Sequence, residues 1–137
     1  HVYLSCRVNG KGRVAVFTRN AESGKLTFRE SVELADPGTF HSIDFAPDGR
    51  SGFYCLRLGR RGGAVGRFIR DPETGKLTAG KALWTRKSGC ALDSISVAPS
   101  GKRCYVTDHG PRRSGALFVL EYDKDAPADE ESIPTSE

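Results

Sequence analysis

Short runs of apolar residues, separated by Gly, Pro, Asp and Ser, follow one another along this 137-residue chain. Within the runs, β-branched and aromatic residues alternate with polar ones, as in half-buried strands. Residues 1–6, 13–19, 25–34 and 41–46 are examples, reading HVYLSC, RVAVFTR, KLTFRESVEL and HSIDFA. No window keeps apolar residues at helical spacing for three turns. The pattern therefore predicts an all-β chain.

Two phrases occur twice along the chain. Residues 40–50 (FHSIDFAPDGR) and 92–102 (LDSISVAPSGK) share Ser, Ile, Ala, Pro and Gly at an offset of 52. Residues 19–28 (RNAESGKLTF) return as 70–79 (RDPETGKLTA) at an offset of 51. Each of these repeated segments contains a turn in which Gly can adopt a left-handed backbone conformation. Four short antiparallel strands in every 51 or 52 residues predict the blades of a β-propeller.

The repeat is incomplete at both ends of the chain. It begins with a second strand at Val2–Cys6 and finishes with a third strand at 115–123, so about two and a half blades are expected. A closed propeller has roughly four to eight blades, so the end sheets would expose uncovered faces. We expect the remaining blades to come from the same longer chain or from another subunit. The first residue, His1, and the lack of Met favour a longer chain.

Charge divides the chain into two parts. Residues 123–137 hold six acids and one Lys, whereas residues 1–122 carry a net charge of +9. The acidic segment has almost no large apolar side chain, which predicts a disordered tail after the blades of residues 1–122. The basic part fits a small anionic partner or a solvated Arg-rich surface. Its densest stretch, 57–67, lacks interleaved aromatics, so nucleic acid is not the expected partner.

Membrane and metal signals are missing from the sequence. No apolar run approaches the roughly 20 residues that span a bilayer, so no membrane partner is expected. The four cysteines, at positions 6, 55, 90 and 104, form no C-x-x-C pair, and the three His residues complete no zinc pattern. They are predicted to be buried free thiols, and no metal or other cofactor is expected. The compartment stays open, with the cytoplasm favoured.

Four segments resemble one family of propellers. They are YLSCR (3–7), VAVF (14–17), FAPDGR (45–50) and DPETGKLT (71–78). They are similar to phrases of the seven-bladed lactonase family, which includes 6-phosphogluconolactonase-type and carboxymuconate-lactonizing enzymes. The resemblance runs from Val2 to about Tyr122. It implies action on a small anionic sugar or dicarboxylate lactone, by hydrolysis or the reverse cyclisation, without a metal.

The residues that are functional in that family are only partly present in this chain. Members commonly carry Pro-Arg-His before the inner strand, where this chain has Phe40-His41-Ser42 and Leu92-Asp93-Ser94. The Arg that closes the Tyr-Val-Ser-Asn-Arg phrase of the family is kept as Arg7. Because the trio is missing, a non-catalytic propeller that serves as a scaffold or subunit is the alternative function.

Candidate site residues lie where inner strands begin and second strands end, since these points converge at the mouth of a propeller channel. They are Arg7, His41, Arg57, Asp93, Asp108 and His109. Lactone hydrolysis needs a base that activates water and cations that stabilise the oxyanion. We therefore expect His41 or Asp93 as the catalytic base and Arg7 and Arg57 as anion clamps. Asp108 and His109 are further substrate-binding candidates.

Each candidate also has an ordinary structural role. His41 could hydrogen-bond a neighbouring blade, and Asp93 or Asp108 could hold a turn. Ser42 and Ser94 have no His and Asp arranged as a triad, so no acyl-enzyme is expected. The large aromatics Trp84 and Phe17 are expected to pack between blades.

Overall fold

The computed structural model describes residues 1–34, 38–59, 62–86, 91–110, 115–123 and 135–136. These residues contain strands and no α-helix, which confirms the all-β prediction. No described helix could span a membrane. The strands are β1 (Val2–Val8), β2 (Lys11–Arg19), β3 (Leu26–Glu33), β4 (Thr39–Phe45), β5 (Ser51–Arg57), β6 (Gly63–Arg70), β7 (Leu77–Arg86), β8 (Leu92–Val97), β9 (Arg103–Asp108), β10 (Ala116–Glu121) and β11 (Thr135–Ser136).

The strands form three antiparallel sheets in chain order. Sheet I is β1-β2-β3, sheet II is β4-β5-β6-β7, and sheet III is β8-β9-β10-β11. Strand β4 contacts both β1 and β8, so the inner edges of the three sheets lie side by side. The arrangement is a partial, propeller-like all-β fold, and the number of blades in a closed assembly stays a prediction.

The repeated turn phrase folds in the same way both times. The amide of Gly49 donates to the carbonyl of Ala46 at 2.9 Å, and Gly101 donates to Ala98 at 2.8 Å. Both glycines have a φ of 66°, a left-handed conformation that costs a side-chain-bearing residue energy. The turn therefore closes the hairpin between the first two strands of sheets II and III.

The core lies between the sheets in two clusters. Between sheets I and II it contains Val14, Val16, Tyr54, Leu56 and Phe68. Between sheets II and III it contains Phe53, Cys55, Val65, Ile95 and Val106. Burying one such large side chain stabilises the fold by about 1.5–3 kcal/mol. Among the described residues, sheet II is thus covered on both faces, whereas sheets I and III are each covered on one.

The two aromatics that the sequence placed between blades differ in position. Trp84 packs against the second cluster, and its ring lies 5.3 Å from that of Phe118, as expected. Phe17 instead stacks edge-on against Phe28 at 5.7 Å. Phe28 is 57% exposed, so this pair lies on the outer face of sheet I. The expectation for Phe17 fails within this chain because no described sheet covers that face.

Polar contacts also join neighbouring sheets. The carboxylate of Asp44, on β4, accepts the amide of Val97 at 2.8 Å and the hydroxyl of Ser96 at 3.3 Å. The hydroxyl of Tyr3, on β1, donates to the carbonyl of Gly75 and accepts from Arg70 Nε at 2.7 Å. Each sheet is therefore held to the next by hydrogen bonds as well as by apolar packing.

The described cysteines, Cys6, Cys55 and Cys104, are free thiols; Cys55 and Cys104 are buried as expected, whereas Cys6 is only partly buried, and Cys90 lies outside the described residues. Burial raises the pKa of the Cys55 and Cys104 thiols to about 12, which makes them poor nucleophiles. Most of the acidic tail also lies outside the described residues. Within it, the two residues of β11 pair with β10, where Ser136 is opposite Val119.

Close packing of β6 against β5 predicts that Gly66→Ala is destabilising. A Cβ at Gly66 would overlap the ring of the fully buried Tyr54. We expect a loss of about 1–3 kcal/mol in the free energy of unfolding, because the core cannot make room without strain. Urea denaturation measures it. Gly115→Ala is the control, since its Cβ would meet the Asp108 carbonyl at an ordinary 3.4 Å. Equal losses in both variants would contradict the prediction.

Candidate functional site

The inner strands of sheets II and III carry the same β-bulge. The register of β4 against β5 shifts between Phe40 and Ser42, which leaves His41 as the extra residue. The register of β8 against β9 shifts between Leu92 and Ser94, which leaves Asp93 as the extra residue. A bulge re-aims its side chain and is frequent beside functional sites. Both candidate bases are therefore presented by the same backbone irregularity.

The ends of the second strands form another set of equivalent positions. Arg7 pairs with Gly12 across sheet I, and Arg57 pairs with Gly63 across sheet II. His109 follows the last residue of β9, at an offset of 52 from Arg57. Strand β5 contacts β8 of the next sheet, as β1 contacts β4. Each second-strand end therefore lies near the inner strand of the following sheet.

Four of the six candidates meet around Asp93, and we call them the Asp93 cluster. The guanidinium of Arg57 forms an ion pair with Asp93 Oδ1. His109 Nδ1 lies 3.3 Å from Asp93 Oδ2, and His41 Nδ1 lies 3.9 Å from Oδ1. His41 and Arg57 come from sheet II, whereas Asp93 and His109 come from sheet III. The cluster thus lies across the boundary between two sheets.

Electrostatics within the cluster favour a neutral His41. Partial burial lowers the pKa of its imidazole, and the positive charge of Arg57 lowers it further, against an opposing contribution from Asp93. A histidine with a lowered pKa is unprotonated at neutral pH and can accept a proton. His41 is therefore suited to act as a base.

Arg57 has a different immediate contact from the one expected. The sequence suggested an anion clamp, but its guanidinium already binds the Asp93 carboxylate. Such a pair fixes the orientation of the carboxylate. Contact between Arg57 and a substrate stays a prediction. This pair could not be predicted from the sequence, because the two residues are 36 positions apart on different sheets.

Asp108 lies outside the cluster and holds the backbone beside it. Its side chain is buried and accepts the amides of Ala91 and Gly110, each at 2.7 Å. The amide of His109 in turn donates to the carbonyl of Ala91 at 2.9 Å. Asp108 therefore joins the beginning of β8 to the end of β9 and positions both partners of the His109–Asp93 contact. Its proposed contact with substrate stays untested.

Arg7 lies near the end of β1, is exposed, and makes no ion pair with the described members of the Asp93 cluster. By its register it occupies the place of Arg57 one sheet earlier, and its strand β1 contacts β4, the inner strand that carries His41. Its charge is therefore available to a ligand.

Metal-ligand geometry is not found in the described part of the chain, where no three His, Cys, Asp or Glu residues form a cluster that could hold an ion. The expected independence from metals stays a prediction, because residues outside that part are not covered.

Fold and cluster together define a class: a partial, propeller-like all-β protein with a charged group of residues shared between adjacent sheets. One solved structure of similar fold is described as a "putative 6-phosphogluconolactonase" from Bacteroides uniformis. The similarity has a TM-score of 0.67 at 19% identity and covers 98% of this chain and 35% of the other. The chain thus spans about a third of that protein's length.

At this identity the likeness is one of fold, and it supports a lactonase-like fold for this chain. The resemblance to carboxymuconate-lactonizing enzymes has no counterpart in it and stays a prediction. No protein-family model and no curated protein matches the sequence.

The lowered pKa of His41 predicts a specific pH dependence of stability. Because the unfolded chain binds this proton more readily than the folded one, stability falls as the pH drops below the ordinary histidine range, about 6.5. Above that range, the contribution of neutral His41 to the free energy of unfolding is fully present. We expect the melting temperature to fall less steeply for His41→Gln than for wild type when the pH is lowered from 7.5 to 5. His109→Gln, which alters an exposed ring, is the control; an unchanged slope in His41→Gln would refute the assignment.

Proposed function

We propose that this chain forms part of a lactonase-like hydrolase site centred on the Asp93 cluster. The observation that carries the proposal is the convergence of His41, Arg57 and His109 on one carboxylate at two equivalent bulges. The fold of the solved neighbour supports the same class of reaction. Because the chain covers only 35% of that neighbour, the activity is proposed for the assembled protein and not for these residues by themselves.

In the proposed reaction, His41 is the general base. Asp93 favours the tautomer with a proton on Nδ1, which leaves Nε2 free to take a proton from water. The hydroxide adds to the lactone carbonyl, and the ring carbon–oxygen bond then breaks. The proton on His41 passes to the departing ring oxygen, so the products are a carboxylic acid and an alcohol, and the imidazole is regenerated. The 3.9 Å separation of His41 from Asp93 is expected to shorten when substrate binds.

The other residues of the site have supporting roles in this proposal. Arg57 holds the Asp93 carboxylate in place through its ion pair, so that the carboxylate orients His41 and stabilises the imidazolium that forms. His109, whose side chain is 73% exposed, and Arg7 are open to a ligand. A guanidinium binds carboxylate or phosphate groups through paired donors, so we propose a small anionic lactone as substrate and no metal in the reaction.

The role of His41 as the base is tested by the hydrolysis of a phosphorylated sugar δ-lactone. The rate is measured as the release of acid in a weakly buffered solution. We expect His41→Gln to lower kcat by about 10²–10⁴ and Asp93→Asn to lower it as well, through the loss of orientation. Chelation with EDTA should leave the wild-type rate unchanged. Ser94→Ala, a neighbour on the same strand, is the control. A wild-type rate in His41→Gln would exclude it as the base.

The proposed binding of an anionic group by Arg7 is tested by comparing substrates of different charge. We expect Arg7→Ala to raise KM about tenfold or more for a phosphorylated or carboxylated lactone and to leave KM for a neutral sugar lactone unchanged. Arg29→Ala, which removes an exposed arginine from β3, should alter neither. Equal changes in KM for both lactones would show that Arg7 does not bind the anionic group.

A non-catalytic subunit is the second candidate function. It is favoured by the ion pair that already occupies Asp93 and by the exposed apolar residues on sheets I and III. The lactone assay separates the two, because a scaffold protein would give no turnover with any lactone.

A further inference from the structure

A small polar side chain lies opposite each bulged inner strand. In sheet II, Ser42 directly follows the bulged residue His41 and pairs with Cys55 of β5. In sheet III, Ser94 directly follows the other bulge and pairs with Thr107 of β9. A bulge disrupts the backbone ladder locally, and the amide beside it still needs an acceptor. Both registers place a side-chain oxygen or sulfur where it can accept that amide.

The hydrogen bonds of sheet III show this contact directly. The hydroxyl of Thr107 accepts the backbone amide of Ser94 at 3.2 Å. The hydroxyls of the same two residues lie 2.8 Å apart. The second strand therefore fixes the backbone immediately after Asp93 through one side chain, in addition to the regular ladder.

Cys55 has the equivalent place in sheet II, with a thiol instead of a hydroxyl. The backbone amide of Ser42 hydrogen-bonds this thiol, which opposes the effect of burial on the thiol pKa. The charges of Asp93 and Arg57 also act on the thiol. Cys55 is 0% exposed and lies in the apolar cluster between sheets II and III. It therefore borders the Asp93 cluster from the buried side.

The same position recurs in the second strand of every sheet. It is the third residue of segments 3–7, 53–57 and 105–109, which read YLSCR, FYCLR and YVTDH. The residues at this position are Ser5, Cys55 and Thr107. They differ in size, but each has an oxygen or sulfur atom that accepts a hydrogen bond. The repeat therefore keeps an acceptor at this position while its identity changes.

We propose that Cys55 is a positioning residue for His41: its sulfur accepts the Ser42 amide and thereby fixes the bulge that directs the imidazole towards Asp93. Thr107 fixes the bulge of Asp93 in the same way. The effect on turnover rests on the proposed function, but the position of the His41 ring does not, because it can be measured without a substrate.

The charges around His41 are unchanged when Cys55 is replaced by a neutral residue. The charged groups on the neighbouring elements are Arg57 on β5, Asp93 on β8, His109 after β9 and Arg7 near the end of β1. All of them are kept in the variants below. A change in the titration of His41 therefore reports a change in the environment of its ring.

The test compares Cys55→Thr with Cys55→Val, which have nearly the same shape and differ in the hydroxyl. NMR spectra give the hydrogen exchange of the Ser42 amide and the titration of the His41 ring, assigned with His41→Gln. We expect Cys55→Thr to keep both as in wild type. In Cys55→Val, the Ser42 amide should exchange roughly tenfold faster or more. The lowered pKa of His41 should rise towards its ordinary value, about 6.5, because a released ring is less buried.

Turnover gives a separate readout. In a protein that hydrolyses the lactone, Cys55→Val should lower kcat about tenfold or more at unchanged KM, since a small misplacement of the base slows the chemical step. Cys55→Thr should restore the rate. No turnover in any variant, together with an NMR difference between Thr and Val, would refute the hydrolase and support the positioning role. Equal exchange of Ser42 and equal titration of His41 in both variants would overturn the positioning role, with or without turnover.

Thr107→Val tests the same contact at an exposed position, where folding does not depend on the side chain. We expect the protection of the Ser94 amide from exchange to fall about tenfold or more. Ser94→Ala is the control, because it keeps its backbone amide and the Thr107 acceptor, and its protection should be unchanged. If Cys55→Val does not fold, this pair decides: unchanged protection in Thr107→Val would overturn the role for both sheets.

Discussion

Coverage of both faces of a sheet is the constraint on which this structure depends. A sheet made from short, alternating strands has two faces that are partly apolar, and a single layer cannot remove both from water. Sheet II meets the requirement because sheet I lies on one face and sheet III on the other. The hydroxyl of Tyr3, which donates to Gly75, and the carboxylate of Asp44, which accepts from Val97, fix the neighbouring sheets in place. Everything else, including the cluster around Asp93, follows from this side-by-side arrangement.

The charged cluster is a consequence of the repeat rather than of any local motif. A bulge in each inner strand directs one side chain away from the regular alternation, and the end of each second strand lies beside the next sheet. In one sheet the bulged residue is His41 and in the next it is Asp93. The same backbone therefore presents an imidazole at one position and a carboxylate at the neighbouring one. Their separation in the sequence says nothing of this proximity.

Much of the fold could be predicted from the sequence because turn chemistry is local. The Pro-x-Gly phrase around Gly49 and Gly101 specifies both turns and, with the alternation of apolar residues, the strands beside them. Candidate site residues could also be found, since the repeat marks equivalent positions. The Arg57–Asp93 pair could not, because it depends on how two sheets pack. The position of Phe17 was missed for the same reason: its environment is set by a neighbouring sheet.

The sharing of the cluster between sheets II and III has a consequence for how the protein could change over time. Residues that fill the boundary, such as Phe53 and Tyr122 with rings 4.2 Å apart, set the angle at which the two sheets meet. A substitution there would tilt His41 relative to Asp93 without touching either one. The geometry of the Asp93 cluster could therefore be changed through the hydrophobic interior, at positions outside the cluster itself.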